Sequence, residues 1–304
     1  MISFVFCLLS FEQDIFSLLS FLSFEVLFVM ITVERALFNA ARNGDVEEVM
    51  SLLRDHPEIN VNLECGNRYT ALHIASLRGC HGAVKLLLSH PGINVNMKDK
   101  YGSTPLSFGC LRAHVSVVEV LLKDPRVDIR LGDYMGHTPL WQASCRGHCK
   151  VIEWLVASGR DLGENKKGKF GWNEKGYTAL EIARKENETE AVTLLERFID
   201  NPTQTRHEFR VKHGVLDALA AEVFALTVFL CDDLLRLKPA LTDTTTASAT
   251  QFFTIASKLP MELQMMLCHR VVGSRKQNIL HKNSEAAFKS LAWILLSPSP
   301  VDPR

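Results

Sequence analysis

The chain has no net charge with which to attract a charged partner. Its 304 residues include 34 basic and 34 acidic side chains, which cancel at neutral pH. Nonspecific binding to nucleic acid usually requires a basic patch or stripe on the protein surface. The composition therefore disfavours binding to DNA or RNA, and we expect no nucleic-acid partner.

Sequence motifs that indicate catalysis are also lacking. The chain contains no glycine-rich phosphate loop, no nucleophile elbow and no set of protein-kinase motifs. Cys145, His148 and Cys149 offer zinc-binding atoms, but a fourth ligand at the regular spacing of a structural zinc site is missing. We therefore predict that the protein is not an enzyme and has no catalytic residue, no cofactor and no metal site.

Paired cysteines are missing as well. The eight cysteines are scattered without the spacing of a disulfide framework. Unpaired cysteines are typical of reducing compartments. The sequence therefore predicts reduced thiols and a location in the cytoplasm or the nucleus.

The first 33 residues contain no lysine or arginine, and Arg35 is the first basic residue. This segment is strongly apolar, yet it lacks the positive region and the cleavage site of a secretory signal. Residues 15–33 nearly reach the length of a membrane span, but Glu25 lies in their middle, where a charge is unfavourable. Two interpretations stay open: a hydrophobic segment that anchors the protein to a membrane, or a mispredicted start, with translation beginning at Met30.

What the chain does contain is a short pattern that recurs four times. The first three copies are 34 residues apart, and the fourth follows after 40. The copies are Thr70-Ala71-Leu72-His73, Thr104-Pro105-Leu106-Ser107, Thr138-Pro139-Leu140-Trp141 and Thr178-Ala179-Leu180-Glu181. An earlier unit without the threonine lies around Leu37, Ala40 and Gly44. A fixed period of this length indicates a repeated structural unit.

The pattern resembles the ankyrin-repeat family, in which each repeat of about 33 residues forms a turn and two antiparallel helices. Glycines at 102, 136 and 176 precede the later copies, as a tight turn requires. The resemblance implies an all-α solenoid of five repeats over residues 35–199. The extra residues between the fourth and fifth repeats, Gly163 to Glu174, are polar and predict a longer loop that protrudes from one edge.

The resemblance also implies where a partner binds, since ankyrin proteins use the turn tips and the exposed end of each first helix. The matching positions are Tyr69, Arg78, Lys100, Tyr101, Arg112, Tyr134, Met135, His137 and Arg146. Arg78, Arg112 and Arg146 occupy one position in three successive repeats, and we call them the arginine row. Tyrosine and arginine are frequent interface hot spots, so an acidic protein or peptide is the expected ligand. The alternative is that these arginines pack over helix ends and offset the terminal carbonyls.

Beyond residue 199 the period stops and a small helical region follows. A capping helix is expected over residues 200–239, where an apolar stripe runs within Arg206 to Leu237. A linker over 240–250, helices over 251–296 and a disordered tail over 297–304 are expected next. Leu259-Pro260-Met261-Glu262-Leu263, with Met266, Leu267 and Trp293, is similar to an F-box-like module. The alternative is an ordinary helix start, in which these leucines and methionines form a core.

The sequence as a whole predicts a non-enzymatic scaffold that binds a protein or peptide on the concave face of an ankyrin array. One alternative is a substrate adaptor whose F-box-like segment recruits a ubiquitin ligase. A second alternative is a membrane-tethered ankyrin protein, which depends on the first 33 residues.

Overall fold

The protein is described by a computed structural model that covers residues 32–170, 173–231, 252–253, 255–256, 258–274, 276 and 279–296. It divides into two compact units, Met1–Asp200 and Asn201–Arg304. The expectations for residues 1–31, for the linker over 240–250 and for the tail over 297–304 lie outside the described residues.

Within residues 32–170 and 173–200, the first unit consists of five successive helix pairs and one β-hairpin. The helices are α1 (residues 32–43), α2 (Val46–Asp55), α3 (Ala71–Arg78), α4 (His81–Ser89), α5 (Pro105–Leu111), α6 (Val115–Lys123), α7 (Pro139–Cys145), α8 (Cys149–Ala157), α9 (Ala179–Lys185) and α10 (Thr189–Asp200). From α3 onward the first helices of neighbouring pairs pack together, and the second helices do the same from α2 onward. This layered stacking confirms the predicted all-α solenoid.

The repeated threonine marks the start of the first helix in four of these pairs. Its hydroxyl accepts a hydrogen bond from the backbone N–H three residues later. This contact satisfies one of the N–H groups left unpaired at a helix start and is worth about 1 kcal/mol. The proline after Thr104 and Thr138 occupies the first helical turn, where its missing N–H costs nothing.

The leucines of the repeat form the core between the helix pairs. Leu72, Leu106 and Leu140 of the first helices are at most 1% exposed, and so are Leu87, Leu121 and Leu155 of the second helices. Full burial of one such side chain contributes roughly 1.5–3 kcal/mol. A leucine that returns every 34 residues therefore explains why the units stack as they do.

Asparagines in the loops after the second helices tie neighbouring repeats together. The amide nitrogen of Asn62 donates to the carbonyl of Gly92 at 2.7 Å, while its oxygen accepts from the backbone N–H of Asn94 at 2.8 Å. Asn96 repeats the arrangement with Arg126 and Asp128 one repeat later. Each amide thus bridges two units with both of its polar atoms.

The loop between α8 and α9 is not wholly irregular. It contains strands β1 (Gly168–Phe170) and β2 (Asn173–Tyr177), which pair antiparallel with Gly168 opposite Tyr177 and Lys169 opposite Gly176. The sequence predicts a longer loop here but does not predict these strands. The strands occupy the place of the turn that precedes the first helix in the other repeats.

The second unit is built around one apolar helix. Its described helices are α11 (Pro202–Lys212), α12 (Val215–Cys231), α13 (Met261–Val271) and α14 (His281–Leu296). Helix α12 packs against the other three, and Ala221 and Ala225 meet Ala287 of α14 in a small core. Small side chains at this contact allow the two helices to approach closely.

The single capping helix expected over residues 200–239 is wrong, because α11 and α12 are separate helices within that range. The chain turns at Gly214, whose φ of 68° lies in the left-handed region that glycine adopts without strain. The axes of the two helices differ by 74°. Residues 232–239 lie outside the described residues, and the capping role stays a prediction.

In the described part of the chain, no single helix has both the length and the apolar composition of a membrane span. One bent pair, Pro202–Lys212 with Val215–Leu230, meets those two criteria when its helices are taken together.

Candidate partner-binding surface

The turns that precede α5 and α7 form two fingers, which we define as residues 99–103 and 133–137. In the first finger, a carboxylate oxygen of Asp99 accepts the backbone N–H groups of Tyr101 at 2.8 Å and Ser103 at 2.7 Å. Asp133 accepts those of Met135 and His137 at 2.9 Å in the second finger. These paired hydrogen bonds fix the backbone and direct the tip residues outward.

Backbone hydrogen bonds join the fingers side by side. The N–H of Lys100 donates to the carbonyl of Asn67, and that of Tyr134 donates to the carbonyl of Tyr101, both at 3.0 Å. The N–H of Lys169 in β1 donates to the carbonyl of Met135 at 2.8 Å. The finger tips and the hairpin thus form one hydrogen-bonded row, which holds its side chains at a regular spacing.

Three large apolar side chains at the finger tips face solvent. The exposed fractions are 54% for Tyr101, 66% for Tyr134 and 46% for Met135. The ammonium group of Lys100 lies 5.1 Å from the ring centre of Tyr101, and that of Lys98 lies 5.8 Å from the ring centre of Tyr134. Both distances fall within the range of cation–π contacts. The finger tips therefore combine aromatic surface with positive charge.

The arginine row lies at the opposite end of the first helices. Arg78, Arg112 and Arg146 are exposed, and none of their guanidinium groups forms a hydrogen bond or ion pair with the described residues. The helices α3, α5 and α7 have seven or eight residues. At a rise of 1.5 Å per residue, the row lies about 12 Å from the fingers along the helix axis.

Histidines, rather than these arginines, satisfy the carbonyls at the helix ends. His114 bonds the carbonyl of Leu77 at 3.1 Å, and His148 bonds that of Leu111 at 3.2 Å, each reaching back to the preceding repeat. Among the described residues, no guanidinium group of the arginine row forms a hydrogen bond with these carbonyls, and the alternative in which their charge offsets the helix ends stays a prediction. The three guanidinium groups thus keep their donors for solvent or for a ligand.

Two of the predicted site residues lie deeper than the others. Tyr69 is half-buried, with its ring edge-on to Phe108 at 5.5 Å between centres. His137 is half-buried too, and its ring stacks on Trp141 at 3.9 Å. The structure therefore brings Lys100, Tyr101, Tyr134 and Met135 together at the finger tips, whereas Tyr69 and His137 support the fingers from below.

A family model for ankyrin repeats (3 copies) matches residues 15–99 and 91–166. The chain belongs to the ankyrin-repeat family. Ankyrin arrays are protein–protein interaction modules and are typically non-enzymatic. No curated protein matches the chain significantly. The family assignment identifies the array as a binding module without naming its partner.

Sequence reasoning missed several contributors to the surface of the ankyrin array. Lys98 immediately precedes the first finger and is absent from the predicted site, although it lies over Tyr134. The ammonium group of Lys185 lies 4.6 Å from the ring centre of Phe170 and 4.4 Å from that of Tyr177, on the hairpin. The tryptophan at position 141, where the first copy of the pattern has His73, is a signal that this repeat differs from the others.

The thiols of the ankyrin array are poor nucleophiles at neutral pH. Burial, followed by the nearby carboxylate of Glu190, raises the pKa of Cys149 to about 11. Burial likewise raises the pKa of Cys145 and of Cys110. Because the thiolate is the reactive form, these cysteines lack the environment of a catalytic thiol. The described residues hold no group of three or more histidine, cysteine, aspartate or glutamate side chains placed to bind a metal.

Proposed function

We propose that the ankyrin array binds an extended acidic segment of a partner protein across its finger tips and its arginine row. The observation that carries the proposal is the set of exposed tip residues, Tyr101, Tyr134 and Met135, on adjacent hydrogen-bonded fingers. Exposed aromatic and methionine side chains on a rigid support are typical of interface anchors.

Charge complementarity supports an acidic partner. Lys100 lies in the first finger, and Lys98 directly precedes that finger with its ammonium group over the ring of Tyr134. The arginine row at the helix ends offers three unpaired guanidinium groups. Arginine binds carboxylates through two parallel hydrogen bonds, so each member of the row is suited to an aspartate or a glutamate. An extended chain advances about 3.3 Å per residue. Four partner residues are therefore enough to reach from a finger tip to the arginine row.

Charge reversal of the arginine row tests this proposal. Affinity purification with mass spectrometry first identifies the partners of the full chain, and the Kd of a purified partner is then measured. We expect the variant Arg78→Glu, Arg112→Glu, Arg146→Glu to bind at least about tenfold more weakly, because carboxylates then face carboxylates.

The matched control places the same charge change on the second helices. Lys85, Lys123 and Lys150 are exposed there, and their replacement by glutamate changes the net charge equally. This control should retain the wild-type Kd within about twofold, because the second helices are not part of the proposed binding surface. Equal affinity of both variants would contradict binding at the arginine row.

A second candidate function, that of a ubiquitin-ligase adaptor, is favoured by the unusual burial pattern of α13. This helix buries Gln264, Cys268 and His269 and exposes Met261 by 59% and Leu263 by 45%. The expectation that Leu263 belongs to a core is wrong. Apolar side chains left outside while polar ones are buried indicate a surface that serves binding. We infer that the F-box-like segment docks a ligase subunit through Met261 and Leu263.

Single substitutions test the adaptor function better than deletion, because removal of residues 251–304 would also uncover the faces of α12 that pack on α13 and α14. Met261→Glu and Leu263→Glu should abolish recovery of ligase subunits in affinity purification. Val271 is 56% exposed at the other end of α13, and Val271→Glu is therefore the control. It should leave the recovery of ligase subunits unchanged. Absence of ligase subunits from the wild-type sample would refute this function.

A further inference from the structure

His137 has two hydrogen-bonding partners that are both acceptors. Its Nδ1 lies 2.9 Å from a carboxylate oxygen of Asp133 on its own finger. Its Nε2 faces the backbone carbonyl oxygen of Lys169 in strand β1. A neutral imidazole carries one N–H only, whereas the imidazolium ion donates from both nitrogens. The arrangement therefore fits the charged form of this side chain.

The same ring is part of the contact between the second finger and the hairpin. It stacks on the indole of Trp141 at 3.9 Å with an angle of 25° between the planes. A side chain at Gly168 would place its Cβ 2.6 Å from the His137 ring, so the backbone of β1 packs directly on the imidazole. Trp141 in turn donates its indole N–H to the carbonyl of Tyr177 at 2.9 Å. His137 thus holds β1, and Trp141 holds β2.

Loss of one proton would change this contact on the hairpin side. The remaining proton stays on Nδ1, because a carboxylate is a stronger acceptor than a neutral carbonyl. The lone pair of Nε2 then faces the carbonyl oxygen of Lys169, and two acceptors at contact distance repel each other. The contact with Asp133 survives, while the contact with β1 is lost.

We propose that His137 is a proton-controlled clasp, which holds the β1–β2 hairpin against the second finger when it is charged and releases Lys169 when it is neutral. The clasp adjoins the exposed tip of the finger, since the N–H of Lys169 also donates to the carbonyl of Met135. The proposal concerns the array alone and does not depend on the partner proposed above.

The charges around the ring set the pH range of the clasp. Asp133 is the carboxylate on the finger, and α7 carries no charged residue. In the hairpin, Lys169 lies in β1 directly after Gly168 and Lys167, and β2 contains Glu174 and Lys175. Lys185 of α9 lies over the rings of Phe170 and Tyr177. Burial opposes the charged form, but the hydrogen bonds with Asp133 and the Lys169 carbonyl outweigh it and raise the pKa of His137 above 6.5. The clasp is therefore fully formed below pH 6.5 and is lost as the pH rises through the raised pKa.

Nuclear magnetic resonance of the full chain tests the clasp. The ring signals of His137 and the backbone amide signal of Lys169 are followed from pH 5 to pH 9. We expect the ring to titrate with a midpoint above 6.5 and the Lys169 amide to shift with the same midpoint. A midpoint at or below 6.5, or a Lys169 amide signal that does not change with pH, would overturn the proposal. This test needs the wild-type protein only.

Two variants separate the charge of Asp133 from its structural role. Asp133→Asn keeps an oxygen for the backbone N–H groups of the finger but removes the charge, so the midpoint of His137 should fall by about one pH unit or more. Asp99→Asn makes the same change in the neighbouring finger, where Ser103 stands in place of the histidine. This control should leave the midpoint unchanged, and an equal shift in both variants would overturn the clasp.

Discussion

Two histidines of the ankyrin array show how the partners of a side chain decide its protonation state. In His73, Nδ1 accepts the backbone N–H of Thr70 at 3.2 Å, so Nε2 carries the proton and donates to the carbonyl of Ser103. Burial lowers the pKa of His73 and favours this neutral form. His137, with an acceptor at each nitrogen, has a raised pKa instead. The residue type alone does not distinguish these two environments.

The histidines that reach back to the preceding repeat should stabilise the array. We expect His114→Ala to lower the free energy of unfolding by about 1–3 kcal/mol, because the carbonyl of Leu77 loses its partner and the ring leaves a space beside Gly79. Urea denaturation followed by circular dichroism measures the change. His81→Ala removes an exposed histidine one repeat earlier and should change the free energy by less than about 0.5 kcal/mol. Similar losses in both variants would mean that the contact with Leu77 contributes nothing specific.

At the scale of the element, the fingers depend on glycines with positive φ. Gly102 has a φ of 81°, and a Cβ at this position would lie 2.8 Å from the backbone nitrogen of Tyr134. That nitrogen donates to the carbonyl of Tyr101, which joins the two fingers. Gly66 has a φ of 57°, and a Cβ added there would meet no atom within 4 Å. The two glycines therefore share the backbone conformation but differ in their surroundings.

This difference predicts unequal effects of one substitution. Gly66→Ala should lower the free energy of unfolding by about 1 kcal/mol, which is the strain of a left-handed alanine. Gly102→Ala should lower it by more, because the added methyl group must displace backbone of the next finger. The amide of Tyr134 should also exchange with solvent faster in Gly102→Ala, as measured by hydrogen–deuterium exchange. Equal stability and equal exchange in both variants would show that the fingers are not closely joined.

The elements that the sequence predicts well are those whose signal repeats. Thr70, Thr104 and Thr138 return with the leucines of the core, and in the structure each caps the first helix of its repeat. The hairpin is not predictable in this way, because the insertion is polar and its contacts come from Trp141 and Met135 in another repeat. The break at Gly214 lies just before the apolar residues of α12, so the pattern of those residues does not mark it. Local pattern thus specifies the repeated parts, and long-range contacts decide the rest.

At the scale of the whole molecule, stacking makes the stability of the array a property shared by neighbouring repeats. Asn62 and Asn96 each bond the following unit, and His114 and His148 each bond the preceding one. The register of the repeats is sufficient to predict which residues reach the finger tips. It does not reveal that Tyr69 and His137 support the fingers, because that depends on Phe108 and on Lys169 in adjacent units.

The opposite preferences of His73 and His137 predict a maximum in stability near pH 6.5. The folded pKa of His73 is lowered, so its stabilisation is complete above pH 6.5 and is lost as the pH falls below that value. The folded pKa of His137 is raised, so its stabilisation is complete below pH 6.5 and is lost as the pH rises. Each unit of pKa shift corresponds to about 1.4 kcal/mol. Burial opposes ionisation of Asp133, but its hydrogen bonds with His137 outweigh burial and lower its pKa. Asp133 therefore stays ionised above pH 5 and does not change the pH dependence of the free energy of unfolding there.

Urea denaturation of the full chain between pH 5 and pH 8.5 checks this profile. The decline below pH 6.5 is its acid arm and the decline above pH 6.5 is its alkaline arm, and one variant tests each arm. His73→Gln stays neutral at every pH, so it should be less stable than the wild type at pH 7.5 and should lose little further stability towards pH 5. His137→Phe keeps a ring to stack on Trp141 but cannot titrate, so the decline above pH 6.5 should vanish while the acid arm remains. His81→Gln, at an exposed position, should reproduce both arms of the wild type. If the stability of His73→Gln still falls below pH 6.5, groups other than His73 cause that loss. The array would then not depend on the neutral form of His73.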